Sequence, residues 1–167
     1  ASRGLGDVYK RQFLNEQQKK EDAVQKAFQI LSKAETKLKD AKTADNVVQA
    51  IKALGEIVTL DSEEDIESVR AAYESLTDSQ KTFVTNIDKL KEQEDGLKKL
   101  QQQEENKEAA HKVSDLIDKI GRVTANSADD LRQARTAYDA LENDEAKRMV
   151  SNYIQLEDGE KIYANLQ

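Results

Sequence analysis

A chain of 167 residues with a net charge of −7 and an isoelectric point near 4.9 repels phosphate backbones. No basic stripe with interleaved aromatics offsets that charge, so the sequence excludes nucleic acid as a partner. With 35% charged residues, 5% aromatics and no proline, it has the composition of long helices rather than of a large globular core. It has no cysteine, which removes disulfide and thiolate chemistry. No apolar run approaches the roughly 20 residues a membrane-spanning helix needs.

Residues 1–12, ASRGLGDVYKRQ, match nothing downstream, and residues 2–6 carry no helical pattern. Residues 7–12, DVYKRQ, resemble the translation of a transposase mosaic-end adapter used in sequencing libraries, which implies a non-native leader outside the fold. From Phe13 the pattern turns helical, with Val24, Phe28, Leu31, Leu38, Val48 and Ile51 near spacings of three, four or seven. No breaker intervenes before Gly55, so one helix is expected over 13–54, with Gly55 in the left-handed position just past its end.

A loop over 56–61 follows. Ser62 then reads as an N-cap, with Glu63, Glu64 and Asp65 favoured in the first turn by the helix dipole. The second helix, 63–76, places Ile66, Val69, Tyr73 and Leu76 on one face. Thr77-Asp78-Ser79-Gln80 is a capping box that opens a single predicted helix over 79–120, about 60 Å long at 1.5 Å per residue. Apolar stripes mark its two ends (Phe83, Val84, Ile87, Leu90; then Val113, Leu116, Ile117, Ile120), and the stretch 101–112 between them is polar, as expected of a connector shared by two units.

The pattern then repeats. Gly121, Thr124, Ser127, Asp130, Leu131, Arg135, Ala137, Tyr138, Leu141, Lys147, Val150, Asn152, Leu156 and Glu160 reproduce Gly55, Thr59, Ser62, Asp65, Ile66, Arg70, Ala72, Tyr73, Leu76, Lys81, Val84, Asn86, Leu90 and Glu94. The offset is 66, falling to 65 through the middle helix because each copy has one extra residue in a different turn. Leu31 and Glu35 precede Gly55 by the same pattern that Leu90 and Glu94 precede Gly121, with seven residues more in the second interval. Seven residues are nearly two helical turns, so both links read as continuous helix. The predicted fold is therefore all-α, with tandem three-helix bundles joined by long continuous helices in a spectrin-like rod. Its expected divisions are a non-native leader over 1–12, the last helix of a preceding truncated repeat over 13–43, and bundles over 44–103 and 104–167.

No residue is assigned to catalysis, to a cofactor or to a metal. His111, the only histidine, has Glu105, Glu108 and Asp115 at helical distance, but three or four converging ligands are what a metal requires. The carboxylate pairs Glu63/Glu64 and Asp129/Asp130 belong to helix first turns. Tyr73 and Tyr138 are expected to fill the bundle cores with their hydroxyls at the rim. Arg70 and Arg135 are expected to lay their stems on apolar surface and pair with Glu94 and Glu160. Asn86 and Asn152, in Val-Thr-Asn and Val-Ser-Asn, are expected to hydrogen-bond backbone near a helix end.

The stretch IKALGEIVTLDSEEDIESVRAAYESLTDSQKTFVTNIDKLKEQE and its copy IDKIGRVTANSADDLRQARTAYDALENDEAKRMVSNYIQLEDGE resemble tandem repeats of surface-layer and other cell-wall-associated proteins of Gram-positive bacteria. The likeness is strongest in A-R-x-A-Y-x-x-L and K-x-x-V-x-N. It departs at Val69 and at residues 142–146, where T-D-x-Q is replaced. It implies three-helix modules that serve as stalks or attach to wall polymers, in an extracellular, wall-associated, non-catalytic protein. A host-protein-binding module and an intracellular spectrin-like scaffold are the alternatives. Wall polymers are often anionic, so an acidic chain needs local cations to hold one, and Lys81, Lys147 and Arg148 near one bundle end are the candidates.

Overall fold

The computed structural model describes residues 2–167, with side chains from Gly4 onward. Ala1 and the side chains of the next two residues, part of the expected leader, lie outside the described residues. Among the described residues the fold is all-α, with seven helices and no strand: α1 Ser2–Ala53, α2 Glu63–Glu74, α3 Asp78–Lys81, α4 Ile87–Ile120, α5 Ala128–Asp139, α6 Asp144–Met149 and α7 Tyr153–Asn165. A 3₁₀ turn, Leu60–Ser62, precedes α2. The chain divides into two compact units. One contains the residues up to Glu56 together with Glu64–Lys91, and the other contains Ile57–Glu63 together with Glu92–Gln167.

The expected start of α1 at residue 13 is corrected, since helix runs from Ser2. Once nucleated, a helix gains one hydrogen bond for each residue it fixes, and nothing between Ser2 and Phe13 is a proline. The side chains of residues 4–39 are exposed, and burial begins near Ala44. Deleting residues 2–12 is therefore expected to shift the melting temperature by less than about 1 °C, because surface changes remote from packed features cost little. A drop of several degrees in a circular-dichroism melt would show that they belong to a packed element.

The expectation of one helix over 79–120 also fails. A single helical turn, α3, is followed by a non-helical stretch over 82–86 before α4 begins. Thr77 and Gln80 do form the predicted capping box, the Thr77 amide donating to Gln80 Oε1 at 3.0 Å and the Gln80 amide to Thr77 Oγ1 at 3.3 Å. Beyond it, Val84 turns into the core and Asn86 Nδ2 donates to the carbonyl oxygen of Val48 at 3.0 Å. The second unit repeats the device. Val150 is extended (φ −71°, ψ 99°) after α6, and Asn152 Nδ2 donates to Ser114 O at 2.9 Å and to Asp118 Oδ1 at 2.8 Å. Burying the valine and anchoring the asparagine take precedence over local helix propensity here, which sequence periodicity does not register.

Other polar details recur at the repeat offset. The amide of Thr59 donates to Ser62 Oγ at 3.1 Å, and that of Thr124 to Ser127 Oγ at 3.0 Å. Both serine hydroxyls thus turn back onto the preceding loop, which corrects the reading of Ser62 as the N-cap of α2. In the loop before each middle helix a valine meets a glycine of the helix that closes the bundle. A Cβ on Gly96 would lie 3.2 Å from Val58 Cγ2, and one on Gly159 would lie 3.2 Å from Leu131 Cδ2 and 3.4 Å from Val123 Cγ2. Gly96, a destabilising residue in a helix interior by about 1 kcal/mol, is thus explained by close approach.

The two first-helix ends differ. Gly121 adopts the left-handed conformation, φ +56°, whereas Gly55 does not, correcting the expectation for the first copy. At the end of α1 the ammonium of Lys89 donates to the carbonyl oxygens of Leu54 at 2.8 Å and Lys52 at 3.3 Å, satisfying groups that a left-handed glycine would otherwise help to pair. Gln155 stands at the matching place in the second copy.

The polar stretch 101–112 is not a free connector. Asn106 is 3% exposed and Ala110 1% exposed, and both belong to the second unit. Asn106 Oδ1 accepts from Asn143 Nδ2 at 2.9 Å, while Asn143 Oδ1 caps α6 by accepting from the Ala146 amide at 2.8 Å. The replacement of T-D-x-Q in the second copy is thereby compensated by an asparagine cap. The second core gathers Val113, Ile117, Ile120, Leu131, Ala134, Leu141, Val150 and Leu156, with Tyr138, Tyr153 and Tyr163 packed at its edge.

Candidate functional site

In α5, Arg135 and Tyr138 lie three residues apart and so share a face. In α7, Tyr153 and Glu160 lie two turns apart and meet them. The guanidinium of Arg135 grips Glu160 with both arms, Nε to Oε1 at 2.7 Å and Nη2 to Oε2 at 2.6 Å, and its Nη1 donates to Tyr153 Oη at 3.3 Å. This is the predicted Arg135–Glu160 pair, in the bidentate geometry that makes such bonds strong. The hydrogen bonds to Glu160, then to Tyr153, push the pKa of Arg135 upward against the opposing effect of burial, so the group stays charged.

Above this pair the rings of Tyr138 and Tyr153 stack, with centroids 4.2 Å apart and planes inclined by 22°. Arg135 Cζ lies 5.7 Å and 5.4 Å from the two centroids, and Lys147 Nζ lies 5.9 Å from that of Tyr138. Cations at this range are attracted by the ring quadrupole. Tyr138, Tyr153, Val150, Lys147, Arg148 and Asp144 wall a pocket of about 400 Å³. Among the described residues, no carboxylate pairs with Lys147 or Arg148, whereas Arg135 is neutralised by Glu160. The pocket therefore offers two uncompensated cations against one acid, Asp144, beside an aromatic wall.

Burial, and then the neighbouring Tyr153, raise the pKa of the Tyr138 phenol above its ordinary value of 10.0. A raised phenol pKa contributes stability that is complete below the unfolded value and is lost as pH rises through the folded one. Ring carbon shifts of Tyr138 are therefore expected to stay those of the neutral phenol past pH 10, and Tyr138→Phe is expected to remove that part of the alkaline loss of stability. Ionisation of Tyr138 at or below its ordinary value would contradict the packing.

The first copy shows the same frame without the same pocket chemistry. Arg70 Cζ lies 5.5 Å and Lys81 Nζ 5.2 Å from the Tyr73 centroid. Here Lys81 is bound to Glu74 at 3.0 Å, and Arg70 reaches the same carboxylate at 3.4 Å. The Lys81 hydrogen bond holds the Glu74 carboxyl below its usual range. Ile87 and Thr82 stand where the second copy has Tyr153 and Arg148.

The remaining sequence candidates are dispersed. His111 Nδ1 lies 3.1 Å from Asp115 Oδ2 on an exposed face, and among the described residues no three His, Cys, Asp or Glu side chains are grouped as a metal would need. Glu63 accepts from Gln101 Nε2 at 2.7 Å, Asp129 from Arg132 at 2.6 Å, and Asp130 lies 3.3 Å from Lys119. The sequence reading overlooked Tyr153, although the change from Ile87 to Tyr153 between copies, beside a basic pair, was the available signal. It also overlooked Asn106 and Asn143, whose partnership spans 37 residues and has no counterpart in local spacing. No described helix is long and apolar enough to cross a membrane.

The chain matches no family model, no curated protein and no solved structure.

Proposed function

We propose that this chain is a non-catalytic repeat segment of a bacterial cell-surface protein, a stalk or spacer that also serves as a wall-polymer-binding module. The observation that carries this reading is the recurrence, 66 residues apart, of the asparagine anchor, Asn86 on Val48 and Asn152 on Ser114, in a chain that resembles wall-associated repeats. A device reproduced at fixed spacing is the mark of a module that is copied along an array.

The same register supports assigning residues 13–43 to the last helix of a preceding repeat. Leu31 corresponds to Leu90 and Leu156, which are fully buried, yet it is 56% exposed, and Phe28 and Leu38 beside it are also exposed. A seam of that kind is what a helix shows when its bundle partners are not beside it. Residues 1–12 are read as a leader foreign to the array.

Co-sedimentation of the full chain with purified Gram-positive walls, and with the same walls stripped of secondary polymer by acid, tests the proposal. Retention on intact walls and loss on stripped ones is expected. Equal recovery in the supernatant in both cases would remove the polymer-binding part of the reading.

A further inference from the structure

We propose that the pocket between Tyr138, Tyr153, Lys147 and Arg148 is a binding site for an anionic saccharide, a sugar ring bearing a phosphate or carboxylate group. The inference takes the biological source of such a ligand from the wall-polymer reading, but its geometry stands apart from it. A volume of about 400 Å³ lies within the range of small-ligand pockets. Its walls divide into an apolar part, two stacked tyrosines and Val150, and a charged part, Lys147 and Arg148. A sugar ring presents C–H groups that pack on an aromatic surface and hydroxyl groups that need acceptors. The tyrosine wall suits the first, and the Asp144 carboxylate and tyrosine hydroxyls suit the second. Lys147 and Arg148 then take the anionic group, as cations that no carboxylate of the described residues already neutralises. A bare anion would use only the cations, and a neutral sugar would leave them unpaired. A nucleic acid is disfavoured because a chain of net charge −7 with two free cations cannot offset the repulsion of a phosphate backbone.

The first copy serves as an internal control. It has Tyr73 and Lys81, but Lys81 is occupied by Glu74, and Thr82 and Ile87 replace the guanidinium and the second ring. The same fold thus carries the site in one module and lacks it in the other. The double variant Arg148→Thr with Tyr153→Ile gives the second copy the residues of the first, which already folds with them.

The test is an NMR titration of the full chain with glucose 6-phosphate, glucose, inorganic phosphate and a phosphoserine peptide, following the Tyr138 and Tyr153 rings. Glucose 6-phosphate is expected to bind at least about tenfold more tightly than glucose or inorganic phosphate, the size of effect that one lost charge-assisted hydrogen bond produces. The double variant is expected to weaken that binding by about tenfold or more with the second unit still unfolding cooperatively, and Arg148→Thr alone, at an exposed side chain, is expected to weaken it at an unchanged melting temperature. Glu74→Ala with Thr82→Arg and Ile87→Tyr is expected to create binding in the first copy. Inorganic phosphate binding as tightly as the sugar phosphate, the phosphopeptide binding more tightly, or an unaffected double variant would each overturn the assignment. Wall co-sedimentation separates this inference from the functional reading. Walls that retain wild type and double variant equally would sink the pocket and leave the wall reading standing. Sugar-phosphate binding without wall retention would do the reverse.

Discussion

Replacing Leu156 by alanine is expected to destabilise the second unit by about 2–5 kcal/mol, the range for truncating a fully buried leucine. Leu156 is 0% exposed, at the centre of a cluster that includes Ile117, Leu131, Ala134 and Val150. Gly159, one turn further along α7, already lets Val123 and Leu131 approach closely, so the backbone there has little room to collapse into a new cavity. Cost then follows the cavity term as well as the lost transfer energy. Ile154, two residues away and exposed, supplies the comparison. Ile154→Ala should change stability by about 0.5 kcal/mol or less. Urea unfolding read by amide exchange at Leu131 and Ala134 measures both. A cost below about 1 kcal/mol for Leu156→Ala would mean that α7 does not close this core, since leucine truncation at a closed core does not come so cheap.

The parts of this architecture that sequence disclosed are those written in short-range pattern. The buried faces of α2 and α5 carry the expected Ile66 and Val69 and, in the copy, Leu131, because a 3.6-residue period is a local property. The Thr77 capping box and the Arg135–Glu160 pair were legible for related reasons, one being a four-residue motif and the other a recurrence between copies. What sequence hid depended on contacts distant in the chain. The break over 82–86 exists because Asn86 answers a carbonyl 38 residues earlier. The first-helix end after Ala53 dispenses with a left-handed glycine because Lys89, 35 residues beyond Leu54, supplies the donor. The burial of Asn106 in a stretch that reads as solvated follows from Asn143 at the start of α6. The pocket was half visible. Lys147 and Arg148 stood out as cations, but the Tyr153 ring that completes the wall is brought to Tyr138 only by packing α7 on α5.

The asparagine anchors lead to the second large effect, an aspartate substitution that leaves shape unchanged and reverses one hydrogen-bonding group. Asn152 is 8% exposed, and its amide nitrogen donates to two acceptors, Ser114 O and Asp118 Oδ1. Asn152→Ala removes both bonds and should cost about 1–3 kcal/mol, as expected where buried acceptors lose their donor. Asn152→Asp at pH 7 should cost more than alanine, because it sets a carboxylate oxygen against a carbonyl oxygen and against the Asp118 carboxylate. Two carboxylates sharing a site raise the proton affinity of one of them. A folded-state pKa raised in this way contributes stability that is present below the ordinary carboxylate value and lost as pH rises through the folded one, so acid should narrow the gap between the aspartate and alanine variants. Asn86→Asp provides the contrast, since the anchoring bond of Asn86 runs to a backbone carbonyl, Val48 O. Its penalty should be smaller and less dependent on pH. Urea midpoints of the three variants at pH 4.5 and pH 7 decide the matter. If Asn152→Asp proves no worse than Asn152→Ala at pH 7, the amide of Asn152 is not the donor that holds α7 to α4, and the break between α6 and α7 must have another cause.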